Sequence, residues 1–439
     1  MLCIGIKGMM VRVNKRRGIG GCAMQEKCKE RIEEFKTPEK LWNPMFLSVF
    51  FASAVLNLSQ QMSNSMLSLY AKANGSPASQ IGTLMSMFAV TALVFRFISG
   101  PAQNAFRRRY VTCFGLGCMT VAYLGFSFAT EIGKVLGIPM VYVLMLFRLI
   151  QGIGNAFGNA CMMTMASDVI PKKQFSTGMG YFMCAQVVAQ AIGPTIGIWL
   201  RGQLGYEKSY LVVAVVMAVG ILLCARVIEA PRKLVPFNLK LDNMIAKEAL
   251  IPAGVTFLVA MGFTSINSFM LVYAEERGIP SEQASYFFTV YAVTMLATRP
   301  MIGKLTDKYG FNKVGIPCII MTALSLVLIG ISSTLPILLL AAFINAFGYG
   351  AVQPALSSLC IKAVQPEKKG SASSTNYIGL DSATIVGPTV CGWIAQALGY
   401  TPLMWIGMAI PEILGAVFVL LTRKKIKAIE DNYEKEPTV

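Results

Sequence analysis

Five charged side chains lie inside otherwise apolar stretches of this 439-residue sequence. They are three arginines and two carboxylic acids: Arg96, Arg148, Arg299, Asp381 and Glu412. A charge at the centre of a membrane-spanning helix costs roughly 2.5–3.5 kcal/mol on insertion scales, so each group needs a partner or a water-filled cavity. Because the sequence contains no histidine, a proton relay through these stretches would have to use the carboxylates.

Asp381 is our main candidate for proton coupling or for contact with a transported solute. The alternative is a structural salt bridge, with Arg148 as the candidate partner. Glu412 is a second candidate for proton coupling. Arg96 and Arg299 lie near the ends of their apolar stretches, so we expect their long side chains to extend toward the membrane surface and to serve a structural role.

The elements that must position these residues are membrane-spanning helices. The chain is 55% hydrophobic and only 14% charged, with a mean hydropathy of +0.58, which is typical of a membrane protein. Apolar runs of about 20 residues, each long enough to cross a hydrocarbon core of about 30 Å, recur along the chain. They are predicted at 44–70, 80–100, 110–129, 139–167, 175–200, 209–228, 249–273, 284–303, 314–332, 336–362, 372–397 and 402–422.

The net charge of +17 is distributed unevenly between the loops. Of the 39 lysines and arginines, 31 lie in the tails and in the loops on one side of the predicted membrane. This asymmetry is the positive-inside pattern, which predicts a multi-pass protein of the cell membrane with both termini in the cytoplasm. It also argues against nucleic acid as a partner, because no basic face is interleaved with stacking aromatic residues.

The chain contains an internal repeat. Residues 64–100 match residues 267–303 without a gap at an offset of 203, with thirteen identities, and a second pair of segments begins at Gly193 and Gly387. We predict an all-α polytopic membrane protein with twelve transmembrane helices in two six-helix bundles, related by a pseudo-two-fold axis along the membrane normal. The predicted boundaries are a tail at 1–43, a bundle at 44–228, a linker at 229–248, a bundle at 249–422 and a tail at 423–439.

Four short motifs carry a resemblance to a known family. They are Gly303, Leu305, Asp307, Lys308 and Gly310 in one loop; Gly100, Asn104 and Arg107 to Arg109 in its counterpart; Arg148, Gln151, Gly152 and Gly154; and Gly193, Pro194 and Gly197. At these places the sequence resembles the major facilitator superfamily of secondary transporters, and within it the twelve-helix drug and sugar efflux branch. The loop that follows Gly100 departs from the family pattern, with Asn104 in place of the acid and Arg107 where glycine is usual.

The resemblance implies a gating role for the two loops. Asp307 can pair with Lys308, Lys313 or a helix N-terminus in one state and separate from it in another, or it can simply belong to a solvated loop. Asn104 cannot form an ion pair, so we expect the two loops to differ in energy. The predicted gating residues are Gly100, Asn104, Arg108, Gly303, Asp307, Lys308 and Gly310.

Two Gly-Pro pairs lie inside apolar runs and are repeat-related. They are Gly193 with Pro194 and Gly387 with Pro388. Proline removes a backbone hydrogen bond and glycine lets helices approach closely, so each pair predicts a kink at a packing seam. A hinge and a static kink both fit this pattern.

Polar side chains at helical spacing mark the runs that the resemblance places around a central cavity. The predicted cavity residues are Asn57, Gln61, Asn64, Arg148, Asn155, Thr264, Asn267, Asn345, Tyr349, Gln353 and Tyr377. Each stripe would also suit hydrogen bonds between helices. Such a lining favours an uncharged polar or amphipathic solute over a polyanion, which needs several cationic groups.

Together these features predict a proton-coupled efflux transporter that works by alternating access, with the direction taken from the resemblance. We expect a monomer whose partners are a small-molecule substrate, protons and the lipid bilayer, and whose energy source is the proton gradient, without a cofactor or metal. Uptake or facilitated diffusion of a sugar or other nutrient is the alternative. A membrane enzyme would need a catalytic constellation, and a sensor would need a soluble domain larger than these tails.

Overall fold

The computed structural model describes residues 40–76, 78–226, 229 and 234–435. In these ranges the chain forms helices joined by short connections and contains no β-strand. Most of the predicted tail at 1–43, the last four residues, and positions 227, 228 and 230–233 around the start of the linker lie outside the described residues.

The helices longer than ten residues are numbered here α1 to α12. They are α1 (Pro44–Ala73), α2 (Ala78–Ala105), α3 (Arg108–Ser127), α4 (Met140–Val169), α5 (Phe175–Ala225), α6 (Leu250–Glu276), α7 (Tyr286–Tyr309), α8 (Phe311–Ile331), α9 (Leu335–Phe347), α10 (Tyr349–Lys362), α11 (Lys369–Leu398) and α12 (Pro402–Lys435). Shorter α-helices are Ala129–Leu136, Leu241–Met244 and Ser281–Ala284, and single 3₁₀ turns are Lys172–Gln174, Lys247–Ala249 and Pro366–Lys368.

Ten helical segments in the described ranges are long and apolar enough to cross a membrane. One of them contains all 51 residues of α5, which at 1.5 Å per residue would span about 75 Å, more than twice a hydrocarbon core of about 30 Å. Gly205 interrupts α5 with φ 75° and ψ 176°, a backbone conformation that favours glycine. This break lies between the predicted runs 175–200 and 209–228. Helix α7 is not among the ten, because its tyrosines, threonines and Arg299 lower its hydropathy.

The predicted run at 336–362 matches one candidate membrane span, Leu335–Lys362. Within this span Gly348 separates α9 from α10 with φ −75° and ψ −99°. A β-carbon at Gly348 would lie 2.5 Å from Oγ1 of Thr322 in α8, so the close packing of these helices requires glycine. Asn345 therefore does not share a continuous stripe with Tyr349 and Gln353.

The buried apolar side chains form two clusters. One is drawn mainly from residues 41–224 and the other mainly from residues 255–426. The two parts of the chain meet where α5 packs against α7 and where α2 packs against α11. Because the repeat offset relates α2 to α7, both seams use equivalent helices from the two repeats.

One end of the molecule is distinguished by basic loops. Helices α2, α4, α7 and α10 finish there, next to residues 107–109, 172–173, 308–313 and 368–369. The starts of α5 and α11 lie at the same end, since side chains at the ends of α7 and α2 bond to them. We call it the basic end.

Candidate functional site

A buried ion pair joins the two repeats between α2 and α11. Nε of Arg96 donates to Oδ2 of Asp381 over 2.9 Å. The guanidinium also donates to the backbone oxygens of Asn155 and Ala156, at 3.1 and 2.8 Å, and lies 4.3 Å from the ring centroid of Tyr377. The Arg96 side chain is 1% exposed and that of Asp381 is 17% exposed. The carboxylate thus keeps one partly open side while the cation is enclosed.

This geometry corrects two predictions. Asp381 pairs with Arg96 and not with Arg148. Arg96 also does not extend toward the membrane surface, since its side chain is fully buried. The reason is that helical side chains lean toward the N-terminus of their own helix. Helix α2 finishes at the basic end, so the Arg96 side chain leans toward the middle of the molecule.

Arg148 lies in a separate polar cluster within the first repeat. Its Nη1 donates to Oδ1 of Asn64 at 3.0 Å and to Oε1 of Gln151 at 2.6 Å. The guanidinium lies 4.6 Å from the ring centroid of Phe88. Neutral amides and an aromatic face from α1, α2 and α4 therefore surround this buried cation, and no salt bridge to it is present among the described residues.

Arg299 occupies the repeat position equivalent to Arg96, and it too is buried. It donates to the backbone oxygen of Gly350 and to Oε1 of Gln353, both at 3.0 Å. It also reaches across the α5–α7 seam to the backbone oxygen of Met183. The predicted extension toward the surface is therefore wrong for Arg299 as well. Both arginine side chains bond to a residue of the other repeat. Arg96 pairs with a carboxylate there, whereas Arg299 donates to a backbone oxygen.

The second repeat contributes an aromatic group beside Arg299. The ring of Phe263 stacks on Tyr349 with 4.4 Å between centroids and 15° between planes, and it lies 5.3 Å from Tyr291. Tyr349 directly precedes Gly350, whose backbone oxygen accepts a hydrogen bond from Arg299. Sequence reasoning missed Phe263 and Tyr291, because an aromatic residue in an apolar run usually packs in a core and carries no distinguishing spacing.

The remaining polar residues of the first repeat bond locally. Nδ2 of Asn57 donates to the backbone oxygen of Ser53 at 2.8 Å, one turn earlier in α1. The side-chain amide of Asn159 donates to Asn155, also one turn away in α4. Gln61 is partly buried and packs against α5 at Gly193. In the described structure the side chains of Asn57, Asn155, Asn159 and Gln61 form no hydrogen bond with Arg148.

The remaining polar residues of the second repeat have different surroundings. Thr264 donates to the backbone oxygen of Ala383 at 3.0 Å and so joins α6 to α11. Asn267, one turn further along α6, is exposed. Asn345 donates to Oγ of Ser325 at 2.6 Å, which directs its side chain to α8 and corrects its predicted place in the stripe.

Glu412 is not brought to the Arg96–Asp381 pair. Its side chain is fully buried and packs against Gly262 of α6. Neither carboxylate oxygen has a hydrogen-bond partner of ordinary geometry among the described residues. Its role in proton coupling stays a prediction.

Asp307 caps the first turn of α5 from across the seam. Its carboxylate accepts hydrogen bonds from the backbone nitrogens of Ser176 and Thr177, at 2.9 and 2.8 Å, and from the Thr177 hydroxyl at 2.7 Å. Nζ of Lys362 lies 3.8 Å away. Of the three predicted partners, the structure selects the helix N-terminus, where unpaired N–H groups and the helix dipole favour an anion. Lys308 lies over its neighbour Tyr309 instead.

Asn104 makes the repeat-related contact with the first turn of α11. Its Oδ1 accepts from the backbone nitrogen of Gly370 at 2.9 Å, and its Nδ2 donates to Oγ of Ser371 at 2.8 Å. We call this the first capping contact and the Asp307 arrangement the second capping contact. In both contacts a side chain near the end of one helix bonds to the first turn of a helix in the other repeat. That side chain is a neutral amide in the first contact and a carboxylate in the second.

Glycines permit both capping contacts. A β-carbon at Gly303 would lie 2.7 Å from the backbone oxygen of Ser176, and one at Gly100 would lie 3.0 Å from Cα of Ser371. Gly310 has a φ of 80°, so it supplies the left-handed turn between α7 and α8. These three glycines thus shape the two contacts through backbone approach and backbone conformation, and their role in gating stays a prediction.

Arg108 lies in a buried charge cluster at the basic end. Its guanidinium pairs with Asp168 at the end of α4, and Nζ of Lys369 lies 3.2 Å from the same carboxylate. Its backbone nitrogen donates to Glu229 at 2.7 Å. Asp168 therefore ties the start of α3 to the start of α11, next to the first capping contact.

The two Gly-Pro pairs lie within helices that continue through them, α5 for Pro194 and α11 for Pro388. A β-carbon at Gly193 would lie 2.6 Å from Cβ of Gln61, and one at Gly387 would lie 2.7 Å from the backbone oxygen of Met261. Both glycines thus allow close helix approach, as predicted for a packing seam. Their role as hinges stays a prediction.

Known transporters resemble this chain both in sequence and in fold. The family model described as Major Facilitator Superfamily matches residues 49–246 and 253–438. A transporter of this type from Methanocaldococcus jannaschii, itself uncharacterized, is 22% identical over 348 residues, covering 76% of this chain and 86% of the relative. Multidrug resistance protein 2 of Bacillus subtilis is 22% identical over 361 residues, covering 79% and 87%. The crystal structure of a bacterial homologue of the iron transporter ferroportin, in an outward-facing state, has a TM-score of 0.73 at 12% identity and covers 90% of this chain and 100% of that one.

Proposed function

The chain belongs to the major facilitator superfamily of transporters, and we propose that it exports a small molecule from the cell by proton-coupled alternating access. Twelve crossings result if α5 counts as two segments divided at Gly205, α9 and α10 count as one crossing, and α7 also spans the membrane. The two apolar clusters support two bundles of six. A site between them could then open to either side of the membrane.

The observation that carries the proton-coupling proposal is the Arg96–Asp381 pair. It connects the two repeats, and its carboxylate retains partial exposure. Protonation would remove the negative charge and weaken the link between α2 and α11. Separation of these helices, which opening of the basic end requires, would thereby depend on proton binding.

Substrate chemistry is inferred from one cluster in each repeat, which we take to line a shared cavity. The first repeat supplies Arg148 with amide neighbours, while the second supplies the stacked rings of Phe263, Tyr291 and Tyr349. Such a combination suits an amphipathic or uncharged polar molecule with an apolar face. The similarity to a Bacillus subtilis multidrug resistance protein supports the efflux direction.

The test uses purified full-length protein in proteoliposomes. A thermal-shift screen of antibiotics, fluorescent dyes and sugars first selects a compound, and its movement is then followed with and without a pH gradient. We expect transport to follow the gradient in the wild type and to lose that dependence in Asp381→Asn. Glu131→Gln, which removes an exposed carboxylate, serves as the matched control. Transport that is independent of the gradient in every variant would contradict proton coupling and favour facilitated diffusion of a nutrient.

A further inference from the structure

A lysine-rich cavity lies at the basic end beside the second capping contact. Its volume is roughly 770 Å³, and its lining includes Lys40, Lys173, Lys304 and Lys308 together with Trp42 and Tyr181. The lining also includes Asp307 and Thr177, so the cavity borders the second capping contact. The six side chains named above take no part in the hydrogen bonds of that contact.

The charge of this cavity favours an anion. All four lysines are exposed, and in the described part of the chain none of them forms a salt bridge. Asp307 is the carboxylate in the lining, and its oxygens already accept hydrogen bonds from the first turn of α5. Several ammonium groups around an open volume are suited to a phosphate, which accepts many charge-assisted hydrogen bonds.

The position of the cavity favours a phosphate carried by a lipid. Trp42 is 50% exposed and its ring lies edge-on to Tyr181, with 5.1 Å between centroids. Exposed Met301 lies one turn before Lys304 and two turns before Lys308 along α7. The surface thus changes from apolar to aromatic and basic at this level, as it does at the headgroup region of a membrane.

We propose that this cavity binds the headgroup phosphate of an anionic phospholipid. Lys173 comes from the first repeat and Lys40 from the segment just before α1, whereas Lys304 and Lys308 come from the second repeat. A phosphate among them would attract both sides of the α5–α7 seam and stabilise the second capping contact. The effect on transport rests on the alternating access proposed above, but lipid binding itself does not.

Binding is tested with the full-length protein in nanodiscs of phosphatidylglycerol, phosphatidylcholine or a mixture, followed by native mass spectrometry of retained lipid. We expect retention of phosphatidylglycerol over phosphatidylcholine by roughly tenfold or more, because each lysine near an anionic surface adds to the attraction. The triple variant K173Q/K304Q/K308Q should lose most of this preference. The control K424Q/K425Q/K427Q removes equal charge from exposed positions of α12 and should keep it.

Two further measurements sharpen the assignment. Inorganic phosphate and glycerol 3-phosphate are added as soluble competitors, and displacement of the lipid by either at millimolar concentration would overturn the lipid assignment in favour of a soluble ligand. Backbone hydrogen exchange at Ser176 and Thr177, whose N–H groups cap onto Asp307, should slow several-fold in phosphatidylglycerol. Equal exchange rates in phosphatidylglycerol and phosphatidylcholine would contradict stabilisation of the second capping contact by the lipid. Equal retention of phosphatidylglycerol by the two triple variants would contradict lipid binding at this cavity.

Discussion

At the scale of single residues, the Arg96–Asp381 pair links the two repeats, and the proposed proton coupling rests on it. The partners lie 285 residues apart in sequence, and the guanidinium makes further hydrogen bonds to two backbone oxygens. Burial of two charges is costly, and their mutual attraction offsets that cost only when the geometry is good. A pair retained in such a place is well suited to a switch, because loss of one charge leaves the other without compensation.

This argument predicts a non-additive mutational cycle. Asp381→Leu should destabilise the folded protein by about 3–5 kcal/mol, because it leaves the Arg96 cation buried without a counter-charge. The double variant R96M/D381L should be less destabilised than Asp381→Leu alone, because both charges are gone. Thermal unfolding of the purified protein followed by tryptophan fluorescence measures the differences. Additive effects of R96M and D381L would contradict an energetic coupling between the partners.

The sequence alone indicates that Asp381 needs compensation, but it cannot indicate which arginine supplies it. Arg148 and Arg96 both lie in apolar runs, and the choice depends on the rotation of each helix and on the lean of its side chains. Arg148 is compensated by the amides of Asn64 and Gln151. The Gln151 contact lies within α4, one turn from Arg148, whereas the Asn64 contact depends on the packing of α1 against α4, which the sequence does not give.

At the scale of helices, the two capping contacts form a matched pair with unequal charge. Asp307 and Asn104 both bond to the first turn of a helix in the other repeat. The sequence identifies the exchange of acid for amide, so an energetic difference could be predicted. The contact of Asn104 with α11 could not, because an amide in a loop usually has several local partners.

The difference in charge leads to a second prediction. Asp307→Asn should weaken the second capping contact, because a carboxylate at a helix N-terminus contributes about 0.3–1 kcal/mol through the dipole and more when partly buried. Backbone hydrogen exchange at Ser176 and Thr177 should accelerate several-fold. The wild-type exchange of Gly370 and Ser371 in the first contact serves as the internal reference. If the exchange rates of Ser176 and Thr177 do not change in Asp307→Asn, the charge of Asp307 does not stabilise the second capping contact.

The reverse exchange, Asn104→Asp, should stabilise the first contact by less than Asp307→Asn weakens the second. Oγ of Ser371 donates to the backbone oxygen of Asn243 while accepting from Nδ2 of Asn104. A carboxylate at 104 would place two acceptors around one hydroxyl proton, which offsets part of the gain from the dipole. Hydrogen exchange at Gly370 measures the outcome. Slowing greater than the acceleration caused by Asp307→Asn would contradict this account.

Glycine packing at the seams gives a further prediction. Gly303→Ala places a methyl group 2.7 Å from the Ser176 backbone oxygen, while Gly100→Ala places one 3.0 Å from Cα of Ser371. The first distance requires a backbone shift, so Gly303→Ala should lower the thermal midpoint by several degrees more than Gly100→Ala, consistent with about 1–3 kcal/mol for overpacking. Gly117→Ala, where no atom lies within 4 Å, is the neutral control. Equal midpoints for all three variants would contradict a tight seam.

Helix breaks show where local sequence information ends. The two runs before and after Gly205 could be predicted from hydropathy, and the non-helical backbone at that glycine divides α5 between them. The break at Gly348 could not, and its close approach to Thr322 on a neighbouring helix is a tertiary contact that local sequence does not encode. Asn345 was misplaced for the same reason, because a regular four-residue spacing has meaning only within an unbroken helix.

At the scale of the whole molecule, the contacts between the repeats concentrate toward one end. Both capping contacts and the Asp168 charge cluster join helix termini at the basic end, and the Arg96–Asp381 pair lies further along the same two helices. Repeat symmetry places the two capping contacts on equivalent helices. The departure from symmetry is that one contact uses the carboxylate of Asp307 and the other the amide of Asn104. If the protein works by alternating access, these contacts hold the state that is closed at the basic end.

A covalent link across the first capping contact should therefore stop transport. Nδ2 of Asn104 lies 2.8 Å from Oγ of Ser371, so the two positions face each other across the seam. We therefore expect N104C/S371C to form a disulfide under mild oxidation and to hold α2 against α11. We expect uptake into proteoliposomes to fall at least tenfold on oxidation and to recover with dithiothreitol, with thiol labelling reporting the oxidised fraction. N104C alone, oxidised in the same way, controls for the native cysteines. Full transport by a completely oxidised double variant would contradict separation of these helices during the cycle, because a closed disulfide fixes their distance at every step.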